Sequence, residues 1–134
     1  MEYKICAKKS DLKPEEFIEI SKSVGWGKDK QYDMARVKKA LKNTSFIITI
    51  RNVDGRLIGC ARALSDNLLF TTIPDIFVRP EHQRKGLGTL MMKKIIERYT
   101  HTKIFFGAQP GLEKFYEKLG FEKGLQPYQR KPEV

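Results

Sequence analysis

The chain has 134 residues, 40% of them hydrophobic, which is enough to bury a core and reads as one domain over residues 1–134. Its 26 Lys and Arg against 16 Asp and Glu give a net charge of +10, a balance that favours anionic partners such as nucleic acid, acidic membrane or a polyphosphate cofactor. The longest apolar run, Phe46–Ile50, is strand-sized, no membrane association is expected, and Met1-Glu2-Tyr3-Lys4 lacks the apolar stretch of a secretion signal, so a cytoplasmic protein is expected.

Tyr3 to Lys8 alternates as a first strand. Pro14 then opens a helix carrying Phe17, Ile20 and Val24 at helical spacing, and Gly25-Trp26-Gly27 breaks it. A second helix follows from Asp33, a residue suited to capping it, with Met34, Val37 and Leu41 on one face. Phe46–Val53 and Arg56–Leu64 are strands joined by Asp54-Gly55, a hairpin signal. After the turn Ser65-Asp66-Asn67 come a further strand segment, Leu68–Thr72, and the strand Ile73–Val78. Pro74 inside that strand cannot donate to a ladder, so it marks a strand start, an edge or a bulge.

Gln83-Arg84-Lys85-Gly86-Leu87-Gly88 links this strand to a helix over Thr89–Tyr99, whose stripe includes Leu87, Leu90, Met91, Ile95 and Tyr99. A strand, a glycine-bearing turn and a helix start together offer unpaired N–H groups and the positive end of a helix dipole. That combination binds an anion, most often a phosphate. Lys103–Phe106 is a short strand, Pro110–Leu119 a helix with Leu112, Phe115, Tyr116 and Leu119 on one face, and Gly120 its C-cap. Phe121 onward reads as a last strand broken near Pro127. The order, β-α-α-β-β-β-α-β-α-β, is α+β with a mixed sheet. Cys6 and Cys60 fall in strands as small buried hydrophobes, with no metal spacing, and His82 and His101 read as surface residues.

Ile76-Phe77-Val78-Arg79-Pro80-Glu81-His82-Gln83-Arg84-Lys85-Gly86-Leu87-Gly88 resembles motif A of the GNAT superfamily of N-acetyltransferases, and Phe115-Tyr116-Glu117-Lys118-Leu119-Gly120-Phe121 resembles its motif B. Ala61–Asp66 and Asp75–Val78 are similar to small bacterial GNATs and to serotonin (arylalkylamine) N-acetyltransferase-like proteins. Pro74 and Phe70 depart from that narrower pattern. The resemblance implies a mixed central sheet with a splayed fourth and fifth strand pair, flanked by about four helices. It implies acetyl-CoA as cosubstrate, no metal, and direct transfer of acetyl to a primary amine in a ternary complex. The favoured acceptor is a small molecule: an arylalkylamine, a polyamine or an amino sugar. Homodimerisation is common in the superfamily.

The resemblance further implies that Gln83, Arg84, Lys85, Gly86, Leu87, Gly88 and Thr89 hold the CoA pyrophosphate. Ile76, Phe77 and Val78 would pair with the pantetheine arm, and Gln109 lies where the family contacts the pantetheine or adenine end. Tyr116 would be the general acid for the CoA thiolate, the alternative being an ordinary core aromatic. Asp75 would bind the substrate ammonium or relay its proton, the alternatives being a solvent-facing carboxylate and a water chain doing the deprotonation. Trp26 and Tyr32 would line the acceptor pocket or simply pack the helix pair. Two other functions stay open: a catalytically silent acyl-CoA-binding regulator, and a basic nucleic-acid-binding module, against which the dispersed charge and the lack of a helix-turn-helix argue.

Overall fold

The computed structural model describes residues 2–133. Five strands form one sheet in the order β1 (Tyr3–Cys6), β2 (Phe46–Asn52), β3 (Leu57–Ser65), β4 (Phe70–Val78), β5 (Lys103–Phe105). Neighbours are antiparallel as far as β4, and β4 and β5 are parallel. The helices are α1 (Pro14–Ser23), α2 (Met34–Lys42), α3 (Leu87–Tyr99) and α4 (Glu113–Lys118). A parallel pair needs a crossover, and α3 is that crossover. Among the described residues, no helix is long and apolar enough to cross a membrane.

Local chemistry sets the element ends. Pro14 starts α1, where the Glu16 carboxylate turns back to accept from the Lys13 N–H at 3.2 Å. The Asp33 carboxylate accepts from Arg36 N–H at 2.9 Å and caps α2. At the β3–β4 turn, Asp66 Oδ1 accepts from the N–H groups of Leu68, Leu69 and Phe70 at 2.9, 2.8 and 3.0 Å.

Strand alternation divides the core between the two faces of the sheet. Phe46, Ile48, Ile50, Ile58, Ala61 and Ala63 meet α3 through Leu87, Met91, Met92 and Ile95. Ile47, Leu57, Cys60 and Phe77 meet α1 and α2 through Phe17, Ile20, Val37 and Leu41. Full burial of one such aliphatic side chain contributes about 1.5–3 kcal/mol. Helix α3 sits close because β3 offers Gly59, where a β-carbon would stand 3.1 Å from the Phe77 carbonyl oxygen and 3.2 Å from Met91 Cε. On the opposite face α1 is fixed by arginines. The Arg51 guanidinium donates to Glu16 Oε2 and Oε1 at 2.6 and 2.8 Å and to Asp11 Oδ2 at 3.0 Å. Buried Arg79 donates to the Leu57 carbonyl and, at 2.9 Å, to Glu19 Oε1.

Several sequence expectations are corrected. The first strand stops at Cys6, and the segments 68–72 and 73–78 are one strand, β4. The bulge explains why they read as two: opposite the single residue Ala63, between the pairs Arg62–Asp75 and Leu64–Thr72, β4 places both Ile73 and Pro74. Strand β5 ends at Phe105, and α4 begins at Glu113 because Gly111 takes φ +91°. Of the stripe expected on α4, Tyr116 is buried, whereas Leu112 is exposed. Among the described residues no last strand follows Phe121. The Phe121 ring instead stands edge-on to Phe106 at 5.0 Å and Tyr116 at 6.2 Å, and residues 122–133 lie exposed without regular structure.

Candidate active site

The turn between β4 and α3 presents a row of backbone N–H groups. Val78 leads through a short 3-10 turn at Pro80–His82 into Gln83, whose side-chain amide donates to the Val78 carbonyl at 2.9 Å and closes the loop. Arg84 takes φ +64° and Gly86 φ +80°. Such left-handed residues turn successive N–H groups to one side. None of the N–H groups from Arg84 to Thr89 has a partner among the described residues; the first bond of the helix runs from Leu90 N–H to the Gly86 carbonyl. Gln83, Arg84, Lys85 and Gly86 are exposed, Gly88 and Thr89 are half-buried, and Leu87 anchors the turn in the core. Gly88 lies against Phe115, where a β-carbon would stand 3.6 Å from Cζ. The second glycine of one motif therefore packs on the first aromatic of the other.

Strands β4 and β5 pair only where Phe70, Thr71 and Thr72 meet Lys103, Ile104 and Phe105. Beyond the Pro74 bulge they part, and a cavity of about 190 Å³ opens between them. Met92 and Tyr116 line it from the α3 side of the sheet, and Trp26 and Tyr32 from the α1–α2 side. Ile76 and Phe77 line it too, as does Gln109 beyond β5. Arg79 N–H bonds the Ile58 carbonyl on β3, so strand alternation turns the backbone groups of Phe77 to β3 as well. Those of Ile76 and Val78 face the open side.

Tyr116 is 8% exposed, with its ring 4.7 Å from Phe106 and 5.0 Å from Phe115. Its hydroxyl has no hydrogen-bond partner among the described residues and opens into the cavity. Burial pushes its phenol pKa up, so it stays protonated across the neutral range.

Asp75 faces inward, not toward bulk solvent. Its side chain is 7% exposed and pairs with Arg62, directly opposite on β3. Arg62 Nε lies 3.1 Å from Oδ1 and 3.0 Å from Oδ2, and Nη2 lies 2.8 Å from Oδ2. Burial raises the Asp75 carboxyl pKa against the pull of the guanidinium. Arg62 also donates to Thr44 Oγ1 at 3.2 Å and stacks 5.2 Å above the Phe17 ring. A carboxylate offers about four acceptor sites, and Arg62 takes three of them, leaving one on Oδ1.

Trp26 is half exposed at the cavity mouth. Tyr32 stacks on Phe17 at 6.4 Å and 10° between planes, so it packs the helix pair and lines the cavity at once. Sequence reasoning misses Arg62 as a site residue, although a signal for it is present: it is a charge in the apolar strand Leu57–Ser65, and pairing that strand with β4 sets it against Asp75. Met92, Phe106 and Leu112 carry no such signal, since apolar residues at helical or strand spacing read as core.

Comparison with known proteins assigns the chain to a family. The family model described as Acetyltransferase (GNAT) domain matches residues 10–131. The chain is 37% identical over 114 residues to the uncharacterized N-acetyltransferase ycf52 of Pyropia yezoensis, covering 81% of this chain and 64% of that protein. It is 31% identical over 121 residues to GCN5-related N-acetyltransferase 2, chloroplastic, of Arabidopsis thaliana, covering 74% of this chain and 46% of that protein. The chain thus spans less than two thirds of the length of these curated relatives. The solved GNAT family protein SP0256 of Streptococcus pneumoniae shares the fold at a TM-score of 0.80 and 21% identity, over 97% of this chain and 100% of that one. With the open β4 edge and the row of free N–H groups already in place, the assignment is plain: the chain belongs to the GNAT acetyltransferase family.

Proposed function

We propose that the chain is an acetyl-CoA-dependent N-acetyltransferase that acetylates a primary amine of a small molecule by direct transfer in a ternary complex. One observation carries this reading. The gap between β4 and β5 passes through the sheet, from Met92 and Tyr116 on one face to Trp26, Tyr32 and Asp75 on the other. A donor and an acceptor entering from opposite faces would meet in it.

The residues fit the cosubstrate. Six N–H groups from Arg84 to Thr89, with the Arg84 and Lys85 charges, suit a pyrophosphate. The open-side backbone of Ile76 and the N–H of Val78, whose carbonyl Gln83 holds, suit an extended amide-bearing arm added like a strand. Phe77 contributes through its place in the strand, and Gln109 through the loop rim. When bound, acetyl-CoA supplies the thioester acetyl group. Transfer forms a C–N bond and breaks the C–S bond, and the amine gives up one proton while the departing sulfur takes one. The free acceptor site on Asp75 Oδ1 holds the amine and passes its proton outward, directly or through water. Tyr116 gives its phenolic proton to the sulfur and is reprotonated from solvent; a phenol does this because it is protonated at neutral pH yet can release a proton in the transition state.

A relative from Glycine max is named histone acetyltransferase TAP1. A lysine-rich tail would approach a chain of net charge +10 and a cavity of about 190 Å³, so a small acceptor fits this chain better. The test is release of CoA thiol against an amine panel, with acetyl-CoA binding followed separately by thermal melting. Turnover of at least one small amine, sharply reduced by Tyr116→Phe, is expected. A melting temperature unmoved by acetyl-CoA would overturn the reading, because a ligand specific to the native state must raise it.

A further inference from the structure

A shallow, open depression in the surface adjoins the cavity between β4 and β5 across Tyr32, which lines both. Its other charged residues are Lys22 near the end of α1 and Lys28, Asp29, Lys30 and Asp33 of the α1–α2 connection. The connection is folded back onto α1. Trp26 N–H donates to the Ser21 carbonyl at 2.8 Å. Gly27, at φ +78°, lies so near that a β-carbon there would stand 3.0 Å from Ser21 Cβ. This fold-back brings Lys28 and Lys30 beside Lys22. Three lysines line it against two aspartates, and the Asp33 carboxylate is already committed to capping α2.

The reacting end contrasts with this. Among the described residues lining the cavity between β4 and β5 Asp75 is the carboxylate, and Arg62 neutralises it. The acceptor region therefore holds one hydrogen-bond site for an amine and, one aromatic ring away, an excess of positive charge. A polycation would satisfy the first and be repelled by the second. A molecule with an amine at one end and an anion at the other satisfies both.

We propose that the acceptor is a small primary amine that also carries an anionic group, a carboxylate or a phosphate, seated on Lys22, Lys28 and Lys30. The proposal rests on the acetyltransferase reading and names the acceptor class for that same site. The test compares kcat/KM for CoA release within matched pairs: benzylamine and 4-(aminomethyl)benzoate for a carboxylate, ethanolamine and phosphoethanolamine or glucosamine and glucosamine 6-phosphate for a phosphate.

The anionic member of at least one pair should be favoured tenfold or more. That ratio should shrink with added salt and fall to within twofold in the Lys22→Ala/Lys28→Ala/Lys30→Ala variant, checked for folding by circular dichroism. Ratios within twofold in the wild type, or a ratio unchanged in the variant, overturn the proposal. If no amine of either kind is acetylated, the catalytic reading fails by itself, and the pocket is judged by binding. The single tryptophan, Trp26, stands at the cavity mouth as a fluorescent reporter. With acetyl-CoA saturating, inorganic phosphate or acetate should change its emission saturably in the wild type and not in the triple variant. No saturable change with either anion refutes the site.

Discussion

Substituting Gly88 separates two demands that most mutations confound. A β-carbon there meets Phe115 at 3.6 and 4.0 Å, ordinary contact distances, and the residue has no left-handed backbone to strain. Gly88→Ala therefore keeps the fold and removes a flexible glycine from the first turn of α3, which should stabilise the free protein by about 0.4–1 kcal/mol. Yet the Gly88 N–H is one of the six donors proposed for the pyrophosphate, and the methyl adds bulk beside it. Losing one hydrogen bond to a charged group costs about 1.5–3 kcal/mol, or roughly ten- to hundredfold in Kd for CoA. Gly86→Ala is the counterpart: at φ +80° an L-residue costs about 1–2 kcal/mol, so that variant should lose stability before any ligand is added. Urea denaturation without ligand and calorimetric titration with CoA at fixed salt read the two quantities independently. CoA binding by Gly88→Ala within twofold of wild type would refute the placement of the phosphates. A destabilisation above about 1 kcal/mol would refute the contact geometry with Phe115.

Three further expectations follow from the same geometry. Tyr116→Phe keeps the aromatic packing against Phe106, Phe115 and Phe121 and should lower kcat by about 10²–10⁴ with little change in melting temperature; unchanged turnover would remove Tyr116 as general acid. Asp75→Asn leaves Arg62 buried without its counter-ion and should destabilise by about 3 kcal/mol, whereas an apolar replacement of both partners, Arg62→Met together with Asp75→Leu, should recover most of that loss in urea melts while still impairing catalysis. Equal losses in the single and double variants would show that the buried charge is not what costs stability. The third concerns acid. Arg51 holds the Glu16 carboxyl below its usual 4.5, and at Asp11 the bonds from Thr49 and Arg51 outweigh burial to hold it below 3.8. Depressed acids stabilise the fold above their unfolded values, so this contribution is complete above those values and disappears as pH falls through the folded ones. Stability measured by urea melts from pH 6 to 3 should drop at the acid end, and Arg51→Met should flatten that limb; equal acid slopes in the two proteins would show that the pairing does not set them.

Most of what positions the site could be read from residue order. The capping Asp33, the Asp54-Gly55 hairpin and the strand–glycine–helix passage at Val78–Leu87 act through neighbours in sequence, so local chemistry reveals them. Pro74 announces an irregularity, but whether it starts a strand or bulges one depends on Ala63 across the ladder, a partner that spacing cannot name. The direction of Asp75 depends on that bulge, and its partnership with Arg62 depends on both. Phe121 misleads for a related reason: aromatic β-propensity is satisfied equally by a strand and by a plug between Phe106 and Tyr116, and β5 at three residues offers little edge to pair with. The lysine pocket could not be seen at all, since Lys22 and Lys30 meet only when Gly27 folds the connection back.

The extra residue in β4 also bears on how such a chain can change. Above the bulge, Asp75 and Phe77 point to the α1–α2 face, and Ile76 and Val78 to α3; below it, Ile73 points to α3 as well. The bulge is thus a half-period phase shift between the stretch that pairs with both β3 and β5 and the stretch that pairs with β3 alone. Replacing Pro74 with another side chain leaves that phase alone, and deleting Ile73 or Pro74 would only remove the bulge and leave Thr72 and Asp75 in regular alternation, whereas deleting Ile76 or Phe77 would shift one side of the strand by a residue and turn its side chains to the wrong face. Strand length at this point is a counting constraint on the protein, distinct from any requirement on chemistry, and variation in the acceptor is free to accumulate instead in the α1–α2 connection, where insertion costs no register.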